Sequence, residues 1–160
     1  MSKMIIDGQL AENSFTHLDD ETALPASGDI SVSWKRWTEE ADALAAHNGQ
    51  VAPRLTGADE LVNVVAQLHK LDIVCLEFPA FADGRCYSFA TRLRRAGFDG
   101  QIRAVGDVLR DQMFYMQRVG INAFEVREDR SAEDALNAFN DFSVSYQAAS
   151  DNPAPIYRRA

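Results

Sequence analysis

The sequence predicts an α/β fold, a mostly parallel sheet of about four βα units with a small N-terminal β-hairpin, on three observations. Short apolar runs at 50–55, 73–78, 102–105 and 123–126 have the length and composition of buried strands. Between them lie segments whose apolar residues recur every three or four positions, as on one face of a helix. The chain has 160 residues, 46% of them hydrophobic, which suits one core without disulfide staples. Alternating strands and helices favour parallel strands joined by right-handed crossovers. Consecutive strand order would give a partial relative of the β/α barrel, and a reversal of order a doubly wound sheet.

Residues 3–6, a turn at Asp7 and Gly8, and residues 14–18 read as a hairpin or meander, and 19–29 as an acidic, turn-rich segment. These make residues 1–30 an N-terminal segment, 31–149 the α/β domain and 150–160 an extended C-terminal tail. Trp34, Trp37, Ala41 and Leu44 share helical spacing, predicting a helix over 34–46. The run at 50–55 contains Pro53, which has no backbone donor, so that strand is expected at an edge or irregular. Thr56 and Asp59 precede a helix with Leu61, Val64, Val65 and Leu68 on one face. After the strand 73–78, Phe89, Leu93 and Ala96 mark a helix over 87–96 that the Gly97–Gly100 stretch ends. Asp107 is expected to cap a helix bearing Leu109, Met113 and Met116. Ser131 with Asp134 is expected to cap the last helix, bearing Leu136, Phe139 and Phe142.

A net charge of −8 argues against nucleic acid or an anionic membrane as a partner, because phosphate binding needs a basic surface. No apolar stretch has the length of a membrane span and no cleavable leader is evident, so a cytoplasmic location is expected. Between Glu77 and Arg118, however, seven arginines face five acidic residues. Such a local excess suits a small anion or an acidic partner, since guanidinium binds oxyanions bidentately; equally, these arginines can lie on solvated faces, paired with nearby carboxylates.

Two polar turns, FPAFADGR and VGDVLRDQ, each follow a predicted strand and open a helix. Parallel strands would place both at one carboxyl edge, where open α/β folds bind ligands. The candidate anion-binding residues are therefore Asp83, Arg85, Tyr87 and Ser88 on the first turn, with Asp107, Arg110, Asp111 and Gln112 on the second. An aspartate can hold an arginine in place while the arginine and helix-start amides bind an oxyanion. The same residues equally make tight turns, caps and ion pairs. Asp107 and Asp111, at i and i+4, can share a helix face as a carboxylate pair or as magnesium ligands, and the helix dipole alone also favours acids there. Cys86 beside Arg85 would be a readier thiolate, and Cys75 within IVCLEF reads as a buried apolar side chain.

No glycine-rich dinucleotide turn or P-loop follows any strand, and two separated cysteines do not supply an iron–sulfur ligand set, so no cofactor is identified. His17, His47 and His69 lack metal-ligand spacing and read as solvated or capping side chains.

The string FPAFADGRCYSFATRLRRAGFDGQIRAVGDVLRDQ, the later GINAF and the terminal PIYRR resemble the bacterial family called domain of unknown function 934. The likeness is close over residues 49–126, with departures at Cys86 and Gln101, where family members commonly carry another small residue and a glutamate. Members typically accompany the genes of assimilatory sulfite reductase and are described as oxidoreductases. The resemblance implies an accessory protein of sulfate or sulfite reduction, with sulfite reductase or its electron donor as partner. Two alternatives stand beside it: an enzyme or binding protein for a sulfur oxyanion or sulfated nucleotide at the strand carboxyl edge, and a non-catalytic homo-oligomeric scaffold. No catalytic signature decides between them.

Overall fold

The structure is a computed structural model that describes residues 3–159. Its strands are β1 (Lys3–Ile6), β2 (Gln9–Glu12), β3 (Thr16–His17), β4 (Ile30–Ser33), β5 (Val51–Leu55), β6 (Ile73–Phe78), β7 (Gln101–Gly106) and β8 (Ala123–Phe124). The helices are α1 (Trp34–Glu39), α2 (Ala41–Ala45), α3 (Leu61–Val65), α4 (Arg85–Arg95), α5 (Arg110–Arg118) and α6 (Ala132–Leu136). All eight strands form one sheet in the order β2-β1-β8-β7-β6-β5-β4-β3. From β3 to β8 the neighbours are consecutive and parallel, while β1 runs antiparallel to both β2 and β8. This order gives a curled half-barrel and removes the doubly wound alternative.

The curl is forced by the chain. β2 and β3 lie at opposite edges of the sheet, yet only Asn13, Ser14 and Phe15 separate them. Extended chain advances at most about 3.6 Å per residue, so Glu12 and Thr16 lie within about 14 Å of one another. Eight strands about 4.8 Å apart and laid flat would hold those edges more than about 30 Å apart. Only a curled sheet satisfies both distances.

Strand alternation then gives the sheet two unlike faces. Leu55, Val74, Leu76, Phe78, Ile102, Ala104 and Phe124 point outward and pack with Leu61, Val64, Phe89, Leu93, Met113 and Met116 of the helices. Phe15, Ala52, Ile73, Cys75 and Val105 fill the concave side. Beside this apolar filling, Arg103 of β7 donates to Glu125 Oε1 at 3.0 Å, and its guanidinium lies 4.1 Å from the Phe15 ring centroid. His17 of β3 reaches Glu125 Oε2 at 2.7 Å, so a residue after β8 is tied to the far edge. The other nitrogen of His17 lies 2.5 Å from Ser31 Oγ on β4.

Several expectations change. The hairpin partner of residues 3–6 is 9–12, because Asp7 and Gly8 both take positive φ and close a two-residue turn. Residues 16–17, within the predicted 14–18 strand, pair instead in parallel with β4, a strand the sequence reading omitted. The helix expected over 34–46 divides at Glu40, whose φ of −108° and ψ of 25° leave the helical region. With β3 and β4 added, the expected count of about four βα units is not what organises the sheet. Pro53 lies in an inner strand, not at an edge: the register with β6 begins only at Arg54, so the ring sits where that ladder has not started. The segment 150–160, read as an extended tail, carries a turn at Ile156–Arg158 whose first amide donates to Tyr146 O at 3.2 Å.

Glu125 yields the first prediction. Burial acts to raise its carboxyl, but the His17 hydrogen bond and charge together with the Arg103 guanidinium outweigh burial and hold it below the ordinary value of 4.5. A depressed carboxylate adds stability above its unfolded pKa that is lost as pH falls through the lower folded value. Urea unfolding is therefore expected to show stability declining below about pH 4.5, with a shallower decline in Glu125→Gln. Glu125→Ala leaves the Arg103 charge buried and is expected to cost about 3–5 kcal/mol at pH 7.

Candidate functional site

The strands β6 and β7 deliver both polar turns to the same edge, and the backbone binds one turn to the other. The Asp107 amide donates to Phe78 O at 2.7 Å, the Phe81 amide to Asp107 Oδ2 at 2.8 Å, and Gln112 Nε2 to Phe81 O at 3.0 Å. Gly106 makes this approach possible. Its φ is +93°, and a Cβ there would lie 2.5 Å from Phe78 O.

The structure therefore brings Gln112 and Asp107 to the first turn, but it places the remaining candidates in separate local contacts. Arg85 donates from Nε and Nη2 to Asp83 at 3.0 and 2.7 Å. The hydrogen bonds from Arg85 hold the Asp83 carboxyl down at about 2. Ser88 Oγ donates to Arg85 O at 2.9 Å, and the Tyr87 ring lies between Phe78 and Tyr115, at centroid distances of 5.3 and 5.2 Å. Arg110 turns away from Asp107 and donates to Asp141 Oδ1 at 2.9 Å, with Asp134 at 3.9 Å. Asp107 Oδ1 instead accepts from Arg127 Nη1 at 2.9 Å, and Arg127 also holds Asp129.

Asp107 does not cap α5. Leu109 stays extended at φ −115° and ψ 152°, the helix begins at Arg110, and no side chain caps it. With Asp107 outside the helix and its carboxylate committed to Phe81 and Arg127, the expected pair with Asp111 on one helix face does not form. Asp111 is exposed in the first turn of α5. Cys86 corrects another expectation. Its thiol is buried and donates to Glu77 O at 3.4 Å. Burial first and the Asp83 carboxylate second push it up to about 12, which outweighs the effect of Arg85. Burial likewise pushes the Cys75 thiol up to about 12.

The sequence reading missed a second polar group, on the concave side of the sheet. Arg54 of β5 and Glu77 of β6 are 3.2 Å apart, and Arg54 also donates to Leu18 O at 3.2 Å. Arg103, His17 and Glu125 complete the group, next to a cleft of about 560 Å³ whose lining includes Asn13, Phe15, His17, Glu125, Val126 and Ser131. The available signal was a charged residue at an inward position of each of β5, β6 and β7: Arg54, Glu77 and Arg103 in VAPRL, IVCLEF and QIRAVG. His17 was read as a solvated or capping side chain, and nothing near it in sequence points to its partner Glu125, 108 residues away.

Two measurements check this geometry. Both thiols are expected to resist a thiol reagent at pH 8 in the native protein and to react fully after denaturation, since only thiolates attack and both are held protonated. Gly106→Ala forces a side chain into left-handed backbone against Phe78 O, and is expected to lower unfolding free energy by about 1–3 kcal/mol.

Among the described residues, no group of three or more His, Cys, Asp or Glu side chains is placed to hold a metal ion. No helix among them is long and apolar enough to cross a membrane. Neither a curated protein nor a solved structure matches the chain. A family model described as a bacterial protein of unknown function, DUF934, matches residues 53–157, from the middle of β5 to the C-terminal turn, and the chain belongs to that family.

Proposed function

We propose that this chain is an accessory protein of assimilatory sulfite reduction, and that it acts by binding sulfite reductase or its electron donor. The pathway is what the family resemblance implies. The binding role is favoured over an oxyanion enzyme by one observation: Arg85 and Arg110, the cations an oxyanion would need at the polar turns, are each matched by a carboxylate of this chain, Asp83 and Asp141. Each carboxylate already neutralises its guanidinium, so an incoming sulfite would meet an ion pair in place of a free positive charge. Partner binding needs no free charge at these turns, because an interface uses surface that the fold leaves exposed.

The immobilised chain is expected to retain purified sulfite reductase or its purified electron donor. Retention of neither rejects the reading. In parallel, sulfite, sulfate and adenylyl sulfate are expected to leave the midpoint of thermal unfolding unchanged. A rise in midpoint that disappears in Arg85→Ala would restore the oxyanion site.

A further inference from the structure

The cations of this acidic chain are not spent evenly. Arg36, Arg54, Arg85, Arg103, Arg110, Arg118, Arg127 and Arg130 each have a carboxylate within 4.0 Å. Among the described residues, Lys35 and Lys70, Arg92 and Arg95 on α4, and Arg158 near the C-terminus have none, Arg159 donates to the Ala154 carbonyl at 2.7 Å, and Arg94, on α4, donates to the Phe98, Gly100 and Gly120 carbonyls and to Asn122. Arg92 and Arg95 are exposed.

Arg95 lies beside the most exposed aromatic surface of the molecule, with Arg92 one turn before it on α4 and the Arg158 guanidinium 5.8 Å from the Tyr157 ring centroid. Arg95 and Tyr115 line one cleft of about 830 Å³ between α4, α5 and residues 147–153. Tyr115 is 59% exposed, Phe142 63%, Tyr146 75% and Tyr157 77%. Phe142 packs on Phe114 of α5 at 5.0 Å between ring centroids. Tyr146 O accepts from the Ile156 amide, which sets Tyr157 and Arg158 beside it. Arg118 anchors the intervening segment through Asp151 at 2.7 Å and the Gln147 carbonyl, so the aromatic residues stand on a fixed base. Tyrosine and arginine are the residue types that dominate interface energetics.

We propose that this face, formed by α4, the outer side of α5 and residues 142–158, docks an acidic protein surface, with Tyr115, Tyr146 and Tyr157 as aromatic anchors and Arg92, Arg95 and Arg158 as the charged rim. The charge of the partner follows from complementarity. The face presents unneutralised guanidinium in a chain whose net charge is −8, so a basic partner would find better electrostatics on the rest of the surface and an acidic one finds them here. The proposal rests on the binding role given above and names the surface and chemistry of that binding.

The test separates the two. Binding of purified sulfite reductase, or of its purified donor, is measured with the wild-type chain, with Arg92→Glu/Arg95→Glu and with Tyr146→Ala. Each variant alters exposed side chains and is checked for an unchanged thermal midpoint. Amide shifts of the wild-type chain are also mapped by NMR with an acidic peptide carrying glutamates and two aromatic residues, against a lysine counterpart. Expected are a loss of affinity of at least tenfold in both variants, weakening of wild-type binding with salt, and peptide shifts confined to α4, α5 and 142–158 for the acidic peptide only. A pathway protein that binds both variants as well as the wild type, or acidic-peptide shifts elsewhere or nowhere, overturns the surface. Peptide binding at this face with no retention of either pathway protein leaves the surface standing and rejects the pathway. A concentration-dependent dimer lost in Arg92→Glu/Arg95→Glu would make a second copy the occupant and overturn the proposal.

Discussion

The three-residue link from β2 to β3 is the constraint on which the rest of this structure depends. It joins opposite edges of an eight-stranded sheet, so the sheet has to curl, and curling creates a concave side narrow enough for Phe15 to help fill. Polar side chains on that side have little water to turn to. Arg103, only 3% exposed, must therefore find a carboxylate and a ring within the protein, and it finds Glu125 and Phe15. The requirement propagates to His17, whose bond to the same carboxylate ties β3 to the residue following β8. A buried ion pair of this kind is weak evidence for net stability over an apolar alternative, but breaking it is costly, which makes it a strong determinant of how the edges register.

The same reasoning explains why the carboxyl edge is poor in free charge. The β6 and β7 turns approach closely enough to require a glycine at 106, and backbone amides brought together this way need acceptors. Asp107 supplies one for Phe81, which prevents it from capping α5 and leaves Arg127 to balance it. Residue types that suit an oxyanion cradle are also those that suit a tight junction between turns, and here Asp107 and Gln112 serve the second use.

The inner half of the sheet was legible in the sequence because strands β5 to β8 are short apolar runs between amphipathic helices, and local periodicity reports such runs directly. Ser131 was legible as a cap for the same reason: its amide partner, Asp134, is three residues away. What could not be read depends on distance along the chain. Thr16 and His17 make too short a strand to carry a pattern, and their partner Ile30 lies across a segment of turns. Likewise, Asp107 looks like a cap until Phe81 and Arg127, 26 and 20 residues away, are seen to claim its two oxygens. The turns were legible as neighbours, whereas the partners of Arg110, in 134–141, were not.

The distribution of arginine turns these local facts into a long-range property. Paired guanidinium groups contribute little field beyond a few ångströms, because each is cancelled by its carboxylate, so the far field of the chain reflects its net charge and the groups left unpaired. With Arg95 beside Tyr115 and Arg158 beside Tyr157, unpaired guanidinium groups stand next to exposed rings on a chain that is negative overall. At physiological ionic strength that polarity extends about 8 Å, far enough to orient an approaching acidic surface before contact but too short to bind it at a distance. Orientation of that kind raises the rate of productive encounter, while the exposed rings supply the desolvated contact that holds the complex once formed. The division of labour is consistent with a protein whose interior charges are committed to closing its own sheet.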